Sequence, residues 1–135
     1  IYIEDIPYCI STHFVRHHQG IEKYVTTSRS DRTDITDRSQ RSQMDLVSMS
    51  MTVNSQALIN MSKVRLCWCA DKDARKVMFE IVKQIKVLEP ELGNKLVPSC
   101  VYRNFCSENN KECGYSKEFL RNWRIEYLNG REQLL

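Results

Sequence analysis

Six cysteines, three histidines and a set of arginines and lysines are the residues of this sequence with chemistry to offer. The cysteines are Cys9, Cys67, Cys69, Cys100, Cys106 and Cys113. An even count, spread over both ends of the chain, suits an oxidised frame, and such frames belong to secreted proteins. Cys67 and Cys69 flank Trp68 in what reads as a strand. Their side chains would then lie on one face with parallel vectors that do not converge on a bond. Each therefore pairs elsewhere. Cys106 and Cys113 bracket a polar stretch, 107–112, and suit a local loop. Cys9 and Cys100 are left to tie the N-terminal segment and the tail to the central strand. The competing chemistry is zinc, but the C-x-C, C-x5-C and C-x6-C spacings do not match the usual zinc knuckles. No C-x-x-C redox pair occurs. The expectation is structural disulfides, with no metal and no cofactor.

The histidines, His13, His17 and His18, cluster. On a helix His13 and His17 would share a face at metal-ligand spacing, but the glutamate and third ligand of a zincin are missing. They read as a surface cluster, able at most to sense mildly acidic pH. There is no G-x-S-x-G elbow, no H-E-x-x-H and, with four glycines in all, no glycine-rich phosphate cradle. Glu89 and Glu91 flank Pro90 as helix punctuation. No residue is assigned a catalytic role, and the chain is expected to bind rather than to catalyse.

Candidate binding residues come from two places. The polar stretch from Thr26 to Gln43 holds one apolar residue, Ile35, and carries Arg29, Arg32, Arg38 and Arg41. Such composition cannot bury enough surface to fix itself, which predicts an exposed loop at about 27–43, a place where recognition residues commonly sit. The second is a helix face bearing Lys72, Arg75, Lys76, Lys83 and Lys86 around Phe79, of which Lys72, Lys76, Phe79 and Lys83 are the candidates. Asn60-Met61-Ser62 is a glycosylation sequon, placed by this reading in a turn before the central strand.

The elements that must position these residues follow from periodicity. Val47, Met49, Met51 and Val53 alternate with polar residues over 44–53, a half-buried strand. Val64, Leu66 and Trp68 alternate over 63–69, predicting a second strand paired with it. Pro7 argues against a helix near the N-terminus. Asp71 caps a helix whose face is Val77, Met78, Ile81, Val82, Ile85 and Leu88, ended by Pro90. A second helix starts at Ser116, buries Phe119, Leu120, Trp123 and Tyr127, and stops at Asn129-Gly130. The segment from Leu92 to Tyr115 is irregular and held by cysteines.

Composition agrees with a globular chain. Its 135 residues are 41% hydrophobic and 27% charged, with a net charge of +3, about one domain's worth. No stretch approaches the ~18 apolar residues of a membrane helix, and so small a charge does not argue for nucleic acid. The start at Ile1 reads as a mature or trimmed terminus. The cysteine spacing departs from insect odorant-binding proteins, and the C-x-C of cystine-knot growth factors ends their chains, whereas here a helix follows.

The sequence thus predicts a single α+β domain: a small antiparallel sheet of N-terminal and central strands, packed with two amphipathic helices and stapled by disulfides. Its expected role is extracellular recognition, as a secreted cytokine-like ligand or receptor-binding ectodomain whose partner is a protein receptor. The alternative is a secreted carrier of a lipophilic small molecule, suggested by the methionine-rich strand.

Overall fold

A computed structural model describes residues 1–26, 37–108 and 113–132. Over those residues it is α+β, with one three-stranded antiparallel sheet and six helices. The chain divides into two compact units, Ile1–Asn54 and Ser55–Leu135.

The first unit contains the sheet. Its elements are β1 (Tyr2–Pro7), α1 (Tyr8–Val15), β2 (Ile21–Val25), a single 3-10 turn (Arg38–Gln40) and β3 (Leu46–Val53). The strand read from alternation is the middle one: β3 pairs antiparallel with β1 on one side and β2 on the other. Val47, Met49 and Met51 are buried, so the methionine face fills a core. Pairing of β1 runs from Tyr2 opposite Ser50 to Pro7 opposite Leu46, with an irregularity between Ile3 and Ile6. Asp5 sits in that bulge at φ 52, a conformation that aspartate tolerates better than most residues.

Pro7 does not keep helix away. Helix α1 begins at the next residue, because a proline at the entry needs no N–H and offers a preset φ. No side chain caps α1. Instead its first free donors, Tyr8 N and Cys9 N, bond to Asp45 O and Gln43 O at 2.9 Å each, which answers the unpaired amides of a helix start. Ile10 and Phe14 are its buried residues. The turn into β2 uses Gly20 at φ +70, where a Cβ would also meet Asn54 Nδ2 at 2.4 Å.

The second unit is helical: α2 (Ser55–Arg65), α3 (Lys72–Leu88), α4 (Pro90–Gly93), α5 (Ser99–Arg103) and α6 (Lys117–Glu132). The expected strand at 63–69 is absent. Ala57, Leu58 and Met61, with Leu66 beyond the helix end, are buried; that is helical spacing, and it outweighs three alternating residues. Asn60 is therefore exposed on a helix, not in a turn, while the sequon's Ser62 is fully buried and donates to Ile59 O at 2.8 Å.

Helix α3 starts as expected, with Asp71 Oδ1 accepting from Asp73 N and Ala74 N at 3.0 and 2.9 Å. Pro90 ends it and opens α4. At that corner a Cβ on Gly93 would stand 2.6 Å from Lys86 Cα, so only glycine fits. Helix α6 opens at Ser116, whose hydroxyl accepts from Phe119 N at 3.0 Å. It continues past Asn129-Gly130 to Glu132, since an isolated helical glycine costs only ~1 kcal/mol. Trp123 and Tyr127 are buried, whereas Phe119 is 45% exposed. The core comprises Met61, Leu66, Met78, Leu96, Val97 and Val101.

The disulfide frame is not present: no two of the six sulfurs are joined. The expected pairing assumed that Cys67 and Cys69 lay on a strand, and they lie in the turn between α2 and α3. Cys9 belongs to α1, where its thiol faces Met44 Sδ at 4.0 Å.

Candidate functional site

In the first unit the feature with chemical potential is a cleft of about 180 Å³ lined by Tyr8, Thr26, Arg41, Ser42, Gln43, Asp45 and Val47. The bonds from the start of α1 to Gln43 and Asp45 form one wall. Thr26 forms another: its hydroxyl donates to Ser48 O at 3.0 Å and accepts from Ser48 N at 3.2 Å. Ser42 Oγ accepts from Met44 N at 3.1 Å, which leaves its own proton to donate. Arg41 Nε lies 3.7 Å from Asp45 Oδ2, an ion-pair distance but too long for a hydrogen bond. That Nε is buried without any hydrogen-bond acceptor. A buried guanidinium donor left unmatched costs on the order of 1–3 kcal/mol. An oxyanion delivered by a ligand would remove that cost, and arginine suits phosphate better than any other side chain.

Of the other loop arginines, Arg29 and Arg32 lie outside the described residues, and Arg38 is described only as backbone in the 3-10 turn. The histidines do not share a helix face. Helix α1 ends at Val15, which puts His17 and His18 beyond it. Lys23 Nζ donates to His17 O and lies 3.2 Å from His18 Nδ1, making a cationic corner beside β2. Among the described residues no three His, Cys, Asp or Glu side chains are set to hold a metal ion.

In the second unit, Lys72, Lys76 and Lys83 are exposed on α3 as expected. They are not a bare cationic face. Lys76 Nζ bonds Asp73 Oδ1 at 2.8 Å, Lys83 lies 3.8 Å from Glu80, and Lys86 lies 3.7 Å from Glu126. Bonding to Lys76 holds the Asp73 carboxyl below its ordinary range. Phe79 is not isolated among them: its ring stacks on Trp123 at 5.9 Å. Phe79, Val82, Lys83, Val87, Phe119 and Trp123 line a groove of about 660 Å³.

The sequence reading missed an aromatic chain because its members come from three separate segments. Trp68 meets Tyr115 edge-on at 5.3 Å, Tyr115 stacks on Phe119 at 5.3 Å, and Phe119 meets Trp123 at 5.3 Å. The Arg75 guanidinium covers the other end, 4.3 Å from the Trp68 ring centre. Burial pushes the Tyr115 hydroxyl up to about 12, and burial likewise raises the Cys67 and Cys100 thiols. Among the described residues no helix is long and apolar enough to cross a membrane.

Comparison with known proteins finds a similarity to a flavin-dependent thymidylate synthase of Saccharolobus solfataricus, 22% identical over 81 residues. The shared stretch is 60% of this chain and 31% of the relative, so it spans less than a third of the relative's length. No protein-family model matches the chain, and no solved structure matches it.

Proposed function

We propose that the chain is a diverged relative of the flavin-dependent thymidylate synthases and that its first unit holds the phosphate of a pyrimidine nucleotide. The observation that carries this reading is the buried, unmatched Arg41 Nε in a cleft that offers further donors. The similarity to a nucleotide-forming enzyme names the ligand class that would supply the missing acceptor. Arg41 would take the phosphate oxygen, with the Tyr8 and Ser42 hydroxyls as neutral donors. Asp45 would balance the guanidinium when the cleft is empty. At about 180 Å³ the cleft fits one phosphate group. It is smaller than the ~300–1,000 Å³ of a whole-ligand pocket, so the nucleoside would extend from it toward the surface. A bound flavin would supply hydride transfer in such an enzyme. At about 180 Å³ this cleft does not fit the flavin ring system.

Calorimetric titration of the full chain with deoxyuridine monophosphate, thymidine monophosphate and the corresponding nucleosides tests the reading. Binding of the monophosphates, at least tenfold weakened by Arg41→Ala and absent with the nucleosides, is the expected result. Equal affinity for nucleoside and nucleotide, or no binding of either, would overturn it.

A second reading, recognition of a protein partner, is favoured by the groove between α3 and α6. There Val87 is 78% exposed and Leu88 beside it 74% exposed, and apolar area of this kind on a helix end commonly marks a contact surface. An extracellular setting, with glycosylation at Asn60, belongs to this second reading. It no longer draws support from cysteine pairing. Loss of partner binding on Val87→Asp, measured with candidate receptors immobilised, would favour it. Indifference to that change would count against it.

A further inference from the structure

Helix α6 carries Lys117, Arg121 and Arg124 at spacings of four and three. At about 100° per residue these side chains fall within ~60° of one another, on one face of the helix. The acids lie off that face: Glu118 is about 100° round from Lys117, and Glu126 stands toward Lys86 of α3. Among the described residues none of the three cations pairs with a carboxylate, whereas Lys76, Lys83 and Lys86 in the same unit each have one.

That cationic face forms one wall of a cleft of about 440 Å³. The opposite wall is the end of α5 and the turn after it. Asn104 ends α5 in a left-handed conformation, φ 64, which asparagine tolerates at a helix end, and Phe105 and Cys106 follow it into the lining. Arg124 ties the two walls together. Its Nη1 donates to Val101 O and, at 2.9 Å, to Tyr102 O, carbonyls that the end of a helix leaves without partners. Those bonds do not use its Nε and Nη2 donors. Between the charges the lining is apolar. Val101 is buried and Leu120 half-buried, while Phe105 and Ile125 are exposed. No carboxylate lines the cleft among the described residues.

Cations without counter-charge, set beside exposed apolar side chains in a concavity, describe a ligand that has both parts. An oxyanion would meet the two guanidinium groups in the geometry that suits them best. An apolar body would take Phe105 and Ile125 out of water. The volume lies within the ~300–1,000 Å³ of small-molecule sites. A nucleotide base would find little to read, since Asn104 is the one amide side chain in the lining among the described residues. We propose that this cleft binds one anionic amphiphile. Its carboxylate or phosphate monoester lies on Lys117, Arg121 and Arg124, and its acyl chain lies on Phe105, Leu120 and Ile125. The site belongs to the second unit and does not depend on the function proposed for the Arg41 cleft.

The test titrates the full, reduced chain with decanoate and with decyl phosphate, each as monomer below its micelle concentration. Calorimetry should show one saturable site, and the tighter ligand of the two identifies the head group. Decanol and inorganic phosphate should each bind at least tenfold more weakly, because each supplies one part only. Replacing the exposed Lys117 and Arg121 together by glutamine should weaken amphiphile binding at least tenfold and leave the ligand-free melting temperature unchanged. Cys106 lines the cleft and is exposed, as is Cys69 outside it. Bound amphiphile should therefore slow alkylation of Cys106 at least fivefold and leave that of Cys69 unchanged. No saturable binding of either monomer, decanol binding as tightly, full affinity in the double variant, or equal protection of Cys69 and Cys106 would overturn the proposal. Binding to phosphatidylglycerol vesicles without binding of the monomers would also overturn it, marking a membrane-facing surface instead.

Discussion

The Tyr115 hydroxyl donates to the Leu66 carbonyl at 2.8 Å, joining residues 49 apart in sequence. This bond pins the start of α6 to the turn after α2. Tyr115→Phe leaves that carbonyl without its donor and should cost about 1–2 kcal/mol in chemical denaturation. The same contact carries a pH signature. Burial raises the folded-state value to about 12, above the ~10 of an unfolded tyrosine. The neutral form is thus favoured by folding. Its stabilising effect is fully present below pH ~10 and is lost as pH rises toward 12. Denaturation midpoints should fall across that window in the unmodified chain and fall less in Tyr115→Phe; parallel curves would refute this.

Asp71 is exposed, yet its carboxylate accepts from two backbone amides that open α3. Asp71→Ala should destabilise the chain by ~1 kcal/mol, while Asp71→Ser should restore most of the loss. Asp73 bonds the exposed Lys76, and such surface pairs contribute little. Asp73→Asn should therefore leave the denaturation midpoint almost unchanged. An equal effect at both positions would contradict the capping role.

Gly114 is required for space rather than for backbone freedom. A Cβ there would overlap the Trp68 ring, which is held by Tyr115 on one side and Arg75 on the other. Gly114→Ala should cost roughly 1–3 kcal/mol by overpacking. The double variant with Trp68→Leu should cost less than the sum of the two changes. Additive losses, measured by a double-mutant cycle, would show that the two residues do not press on each other.

The middle strand of the sheet and the starts of α3 and α6 were legible in the sequence because they are local. Alternation identified β3 at Val47, Met49 and Met51, and Asp71 and Pro90 bounded α3. The second predicted strand failed because Val64, Leu66 and Trp68 are too few to distinguish period two from a helix end. Leu66→Ala against Val64→Ala separates the readings. A strand would bury both, whereas here Leu66 is fully buried and Val64 is 50% exposed. The expected losses are ~2–5 kcal/mol for Leu66→Ala and within ~0.5 kcal/mol for Val64→Ala.

Sites assembled from distant segments were not legible in the same way. The cysteine spacing, taken along the chain, argued against zinc and for disulfides. Only the fold shows that Gly114 and Tyr115 pack on the turn around Trp68. Likewise the polar stretch pointed to loop arginines in general. Arg41 stands out only because Asp45, Tyr8 and Thr26 close around it.

Arg41 offers a test in which stability and binding move in opposite directions. Its Nε is buried without an acceptor, and its carboxylate neighbour Asp45 is 37% exposed. Asp45 can therefore be rehydrated when its partner is removed. Arg41→Met, which keeps the side-chain stem and deletes the unmatched donor, should leave the ligand-free chain as stable as before or up to ~1 kcal/mol more stable. A residue kept only for structure would behave otherwise. The same change should abolish stabilisation by nucleoside monophosphate. In the unmodified chain that stabilisation should reach about 2.7 kcal/mol at a ligand concentration one hundredfold above Kd. Thermal melts of both proteins, with and without the monophosphate, check the two effects together. An Arg41→Met protein that is markedly less stable and still shows the full ligand shift would remove Arg41 from the phosphate site.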